Sequence, residues 1–209
     1  MRRLPALVAL LPITLLAAWA SAARAEGYAD SSYHLTRLLS VGWEAARPAA
    51  GLADFVSNDS PRGLQAEVRY SVVRQLSLGV ACSYNWFAQN IPRGEIAYPD
   101  ALVTGPVYHR AQIITLRATG HLLLTRGPVQ PYLGVGVGGV RYDAREEIGG
   151  LAVKSTGYGL AAGPEVGLLV TVKRGLAIHL QLRYQVNRIE FAGVKNPGWY
   201  AVDLGLAFY

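Results

Sequence analysis

Residues 176–186 read LAIHLQLRYQV. Leu176, Ile178, Leu180, Leu182, Tyr184 and Val186 form one alternate set, and Ala177, His179, Gln181, Arg183 and Gln185 the other. Successive side chains of an extended strand point to opposite faces, so one face here is wholly apolar and the other is small or polar. A tilted strand of about this length, roughly 9–11 residues, crosses the hydrocarbon core of a bilayer.

The pattern repeats in both directions. After 187–198 the chain alternates Tyr200, Val202, Leu204, Leu206 and Phe208 with Ala201, Asp203, Gly205 and Ala207. Before the Lys173-Arg174-Gly175 turn, Tyr158, Leu160, Ala162, Pro164, Val166, Leu168 and Val170 alternate with Gly159, Ala161, Gly163, Glu165 and Gly167. Earlier still, Leu133, Val135 and Val137 oppose Gly134, Gly136 and Gly138. Ile114, Leu116, Ala118, Gly120 and Leu122 oppose Thr115, Arg117, Thr119 and His121. Leu76, Leu78, Val80, Cys82, Tyr84 and Trp86 form a further face, one tight turn (Arg74-Gln75) after Leu64, Ala66, Val68, Tyr70 and Val72. The first strand is read from Leu39, Val41, Trp43 and Ala45 against Ser40, Gly42 and Glu44. The expected fold is therefore all-β: an eight-stranded antiparallel up-and-down transmembrane β-barrel.

The connections alternate in length, with long ones at 47–62, 88–108, 143–152 and 187–198. Outer-membrane barrels have short periplasmic turns and long extracellular loops. Aromatic residues gather near strand ends. Trp43, Tyr84, Trp86, Tyr158, Tyr184, Trp199 and Tyr200 are expected toward the long loops, and Tyr70, Tyr132 and Phe208 toward the short turns, as two interfacial girdles. The apolar face is assigned to lipid because the three lysines, Lys154, Lys173 and Lys195, all avoid the strand centres.

The chain opens with Arg2 and Arg3, a short apolar run, and Ala23-Arg24-Ala25. This is the layout of a cleaved signal peptide, expected over 1–25, with the barrel domain over 26–209. Its removal lowers the formal charge from +6 to +3. No basic run reads as a nucleic-acid surface, so no nucleic-acid partner is expected. A single cysteine, Cys82, excludes an intrachain disulfide and is expected as a small buried hydrophobe.

Charged residues on the polar faces fall at similar depth. Glu44, Glu67, Glu165 and Asp203 are expected to meet Arg69, Arg117 and Arg183 in a mid-lumen layer, because buried charges need partners. Strand stagger leaves the individual pairings open. His121 and His179 face inward as polar core residues. His34, His109, His121 and His179 have no metal-ligand spacing, and the glycine run 134–139 lacks the fingerprint of a nucleotide loop. No catalytic, metal-binding or cofactor-binding residue is assigned, and no cofactor is expected.

Three elements carry a family resemblance: the hairpin 64–87, PYLGVGVG at 131–138 with GPEVG at 163–167, and the closing LGLAFY at 204–209. With the signal peptide, they make the chain resemble the small OmpA-like and OmpW-like outer-membrane β-barrels of Gram-negative bacteria. The resemblance implies a monomer among outer-membrane lipid and lipopolysaccharide, inserted by the outer-membrane assembly machinery. The terminal strand resembles the signal that machinery reads, although Tyr209 is out of the apolar phase. The leading expectation is a non-enzymatic structural or surface-interaction barrel, acting through its long loops around a lumen plugged by charge. The OmpW-like resemblance implies a second reading, a narrow conduit for small or apolar molecules. A lipid A-modifying enzyme is the third. The stretch 183–187 with 196–198 is similar to lipid A 3-O-deacylases, but Arg183 and Gln185 stand where that motif needs His and Ser.

Overall fold

The computed structural model describes residues 37–98, 101–148, 151–191 and 193–209. The expected signal peptide lies outside the described residues. In chain order the elements are β1 (Arg37–Ala50), α1 (Gly51–Phe55), β2 (Ser60–Val73), β3 (Leu76–Tyr98), β4 (Ala101–Leu123), β5 (Val129–Ile148), β6 (Leu151–Lys173) and β7 (Leu176–Arg188). They continue with β8 (Glu190–Phe191), β9 (Val194–Lys195) and β10 (Pro197–Phe208). Eight strands close a ring in the order β1-β10-β7-β6-β5-β4-β3-β2, every neighbour antiparallel, while β8 and β9 form a separate small hairpin. Closure comes from β1 and β10, in register from Leu39↔Phe208 to Ala50↔Pro197. No helix among the described residues is long and apolar enough to cross a membrane.

Two of the expected long loops are largely strand. β3 and β4 stay paired to Tyr98↔Ala101, and β5 and β6 to Ile148↔Leu151. Pro92 and Pro106 both fall inside one register shift between Ile91 and Gly94. A bulge is where a strand tolerates a residue without an N–H. In 143–152 the run Arg145, Glu146, Glu147 hid the strand, because a segment standing clear of lipid has no apolar face to reveal it.

The outward set is the apolar one. Leu64, Val135 and Leu160 are 60–67% exposed, and Leu39, Val68, Leu116, Ile178 and Leu204 lie on the same belt. Water would not tolerate such a surface, and lipid satisfies it. Cys82 belongs to this belt and is exposed, so lipid is its apolar surrounding rather than protein core.

The interior has three storeys. Toward the long hairpins, Leu52 and Val56 of the α1 segment pack on Phe87, Ala111, Ile113, Val140, Tyr142, Val194 and Trp199. Toward the short turns, Leu38, Tyr132, Leu169, Ala177 and Ala207 cluster with Leu123 and Tyr209. Charged and amide side chains occupy the middle. Two girdle assignments are corrected here. Trp199 and Tyr132 are fully buried inside the barrel, not at the interfaces. Each follows strand parity: Tyr132 is in phase with Gly134 and Gly136, and Trp199 is out of phase with outward Tyr200. Tyr209 leaves the apolar phase because it packs beside the inner mouth, where its hydroxyl donates to the Lys173 carbonyl at 3.3 Å.

Candidate functional site in the barrel interior

Every charged residue read as lumenal is buried, and the strand registers bring them into one belt. On the β1 side, Arg183 Nη2 lies 2.7 Å from both Glu44 oxygens. Asn85 Nδ2 donates to Glu44 Oε1 at 2.6 Å. Arg183 also donates to Gln65 Oε1, Gln65 Nε2 to Gln181 Oε1 at 2.8 Å, and Gln181 to Glu165. On the opposite side Arg69 Nη2 donates to Glu67 Oε2 at 2.6 Å, and Thr119 Oγ1 to Glu67 Oε1 at 2.6 Å. Arg117 is the loosest member, with Nη1 3.7 Å from Glu165 Oε2. His121 Nε2 bridges the carboxylates of Glu165 (3.3 Å) and Glu67 (3.7 Å).

Asp203 departs from the expected set. Its partner is a histidine, not an arginine: Oδ1 is 3.1 Å from His179 Nδ1. His179 Nε2 is in turn 2.6 Å from the Tyr132 hydroxyl. Arginine can only donate, so with Arg69 donating to the Tyr132 hydroxyl, the Tyr132 proton is left for Nε2. Arg69 Nη2 donates to the same hydroxyl at 3.1 Å, its guanidinium 4.5 Å from the Tyr132 ring centre. The chain Arg69–Tyr132–His179–Asp203 orients a histidine against a hydroxyl, as acid–base sites do. All four side chains are buried, however, and the chain lies against the inner apolar storey. Among the described residues no cluster of His, Cys, Asp and Glu is arranged to hold a metal ion.

The outer rim contains a second constellation. His109 stacks on Phe55 of α1, ring centres 4.7 Å apart at 6°. Its Nδ1 donates to the Phe55 carbonyl (2.7 Å) and its Nε2 faces Glu146 Oε1 (2.8 Å).

A closed eight-stranded ring with short turns at one end, paired hairpins at the other, an apolar exterior and a charged interior has solved counterparts. Neisserial surface protein A aligns with a TM-score of 0.56 at 17% identity, over 83% of this chain and 96% of that one. The chain has the fold of a small outer-membrane β-barrel. Ail, the attachment invasion locus protein of Yersinia pestis, aligns at a TM-score of 0.51 and 13% identity, over 82% and 96%. A second structure of Ail, in complex with the heparin analogue sucrose octasulfate, aligns at 0.51 and 15% identity over the same shares. No protein-family model and no curated protein matches the sequence.

In this outer-membrane barrel the expected acids and arginines do converge, but amides and hydroxyls join them. Gln65, Asn85, Thr119 and Gln181 were not singled out from sequence, and Tyr132 was expected at an interface. Each lies on the small-or-polar face of its strand, so parity was the signal available. The pairings themselves follow from stagger: Glu165 is opposite Arg183 in register, yet Arg183 reaches over β10 to Glu44.

Proposed function

We propose that the protein is a non-enzymatic surface-interaction barrel of a Gram-negative outer membrane, its partner-binding surface being the part of β3–β6 that stands beyond the lipid belt. The observation that carries this reading is a difference in strand length. β3 through β6 run 20–23 residues each, whereas β7 ends at Arg188 and β2 begins at Ser60. Above Leu160, the last β6 residue near this end to pair with β7, β6 keeps only β5 as a ladder neighbour. Main-chain groups along 151–157 are thus available to an extended partner, the mode of strand addition.

The interior supports the same reading. The belt of ion pairs lies between two apolar storeys, an arrangement suited to a plugged lumen rather than a water path. Two of the similar structures bear names that speak of a surface protein and of attachment. Cleavage of residues 1–25, insertion by the outer-membrane assembly machinery, and a monomer surrounded by lipid and lipopolysaccharide belong to this proposal.

The test has two arms. Single-channel recording of the refolded mature protein is expected to be silent, and discrete conductance steps would overturn the plugged lumen in favour of a conduit. Cells displaying the protein are compared with cells displaying a form whose β3–β4 and β5–β6 hairpins are shortened to tight turns above Ala88 and Ala144. Adherence to cultured epithelial cells should fall with the shortened form, and equal adherence would remove the surface-interaction reading.

A further inference from the structure

The outer face of the protruding sheet carries a row of cations directly opposite one another. Strand registers pair Ala88 with Arg110, Arg110 with Arg145, and Arg145 with Lys154. Residues paired in this way share a face, and Arg110, Arg145 and Lys154 are all exposed on the exterior. Adjacent strands lie about 4.8 Å apart, so the three charges span about 10 Å across β4, β5 and β6. Like charges directly opposite across strands are destabilising, and natural sheets put opposite charges there. Only Arg145 of the three has a carboxylate partner, Glu147, and the net positive charge left along the row calls for an anion.

The acids nearby relieve it only in part. Asp143 is held by Arg141 (3.0 Å) and accepts from Thr156 (2.8 Å). Glu147 is paired with Arg145 Nε, so one carboxylate stands against three cations. Among the described residues neither Arg110 nor Lys154 has a carboxylate partner. Arg62, whose guanidinium lies 5.2 Å from the Trp86 ring centre, adds a further cation on the same exterior.

Height selects the ligand. Four residues down each strand is the row Tyr84, Ile114, Arg141, Tyr158, again paired in register. Tyr158 is 71% exposed there, and the next row down, Cys82, Leu116, Gly139 and Leu160, is without charge. This is an interfacial aromatic level above the lipid belt. Four residues of strand rise about 13 Å, less after tilt, which sets the cations at the level of lipid headgroups and facing them. Guanidinium and ammonium groups at this spacing suit phosphate oxygens.

We propose that Arg110, Arg145 and Lys154 form a binding site for the phosphorylated sugar headgroup of an outer-leaflet lipid, docked against the outside of the sheet. This rests on the reading that the long hairpins lie outside the cell. The refolded full barrel in detergent is titrated with diphosphoryl lipid A, with its dephosphorylated counterpart, with inorganic phosphate and with sucrose octasulfate, bound lipid being counted by native mass spectrometry. Diphosphoryl lipid A is expected to bind at least tenfold tighter than the dephosphorylated form. The R110Q/R145Q/K154Q variant should abolish that preference, and K173Q/R174Q at the short-turn end should leave it intact. All these positions are exposed, and heat-modifiable mobility verifies folding of each variant. Equal binding of the dephosphorylated lipid, or a preference untouched by the triple substitution, would overturn the site. Displacement of the lipid by sucrose octasulfate at equal concentration would overturn the lipid as occupant in favour of a soluble polyanion. Inorganic phosphate competing as well as lipid A would reduce the site to a free-phosphate one. An S57C/C82S variant on intact cells separates the two levels of failure, because Ser57 is exposed at the long-hairpin end and lies outside the proposed site. Labelling by a membrane-impermeant maleimide with no lipid preference sinks this inference alone, and absence of labelling sinks the orientation beneath it.

Discussion

Arg183 and Glu44 are joined across an intervening strand: the Arg183 guanidinium on β7 passes over β10 and sits 2.7 Å from both carboxylate oxygens on β1. Asn85, Gln65 and Ser83 surround the pair, so β1, β2, β3 and β7 meet at one buried charge contact. It ties together strands on both sides of the β1–β10 closure.

Removing one member should cost more than removing both. Arg183→Met strands the Glu44 carboxylate in the interior, a loss of about 3–5 kcal/mol for a broken buried pair. Arg183→Met with Glu44→Gln should recover a large part of that. Urea unfolding midpoints, read by heat-modifiable mobility, check this, and a double variant no more stable than the single one would refute the pairing.

Adjacent glycines on β5 should differ sharply. A Cβ on Gly138 would run into the Leu116 carbonyl oxygen and come within 2.6 Å of Arg117 Cα, which is backbone and cannot swing aside. A Cβ on Gly139 meets nothing within 4 Å. Gly138→Ala is expected to lower folded yield severely, and Gly139→Ala to leave it unchanged. Similar yields from both would contradict the β4–β5 register.

Cys82 reports which face meets lipid. It is exposed on the apolar belt between Val80 and Tyr84. In liposomes a charged maleimide should leave it unmodified until the barrel is unfolded, while a hydrophobic maleimide reacts in the folded state. Rapid labelling by the charged reagent in the folded barrel would place this face in water.

The α1 segment should be fastened by His109. Both ring nitrogens face acceptors, the Phe55 carbonyl and Glu146, while the ring stacks on Phe55. His109→Phe keeps the stack and loses the polar contacts, and His109→Ala loses both. Chymotrypsin cleavage near Phe55 is expected to quicken in the order wild type, His109→Phe, His109→Ala. Equal rates would mean that Leu52 and Val56 alone anchor the segment.

What sequence alone determined is the face of every barrel strand. Residues 176–186 show why: a strand between lipid and a packed interior must alternate, and a slip by one residue would put Arg183 into hydrocarbon. The same rule was strong enough to assign Tyr132 and Trp199 correctly, and counting aromatics at strand ends obscured it. The hairpins above the belt were not legible, since 88–98 and 143–148 pair in register with no lipid to impose an apolar pattern. Nor were the partners in the charge belt. Glu165 faces Arg183 in register, yet stagger and curvature send Arg183 to Glu44 and leave Asp203 to His179. Alternation is a local property of one strand, whereas contacts across a lumen depend on how eight strands tilt and close, and only the folded ring decides that.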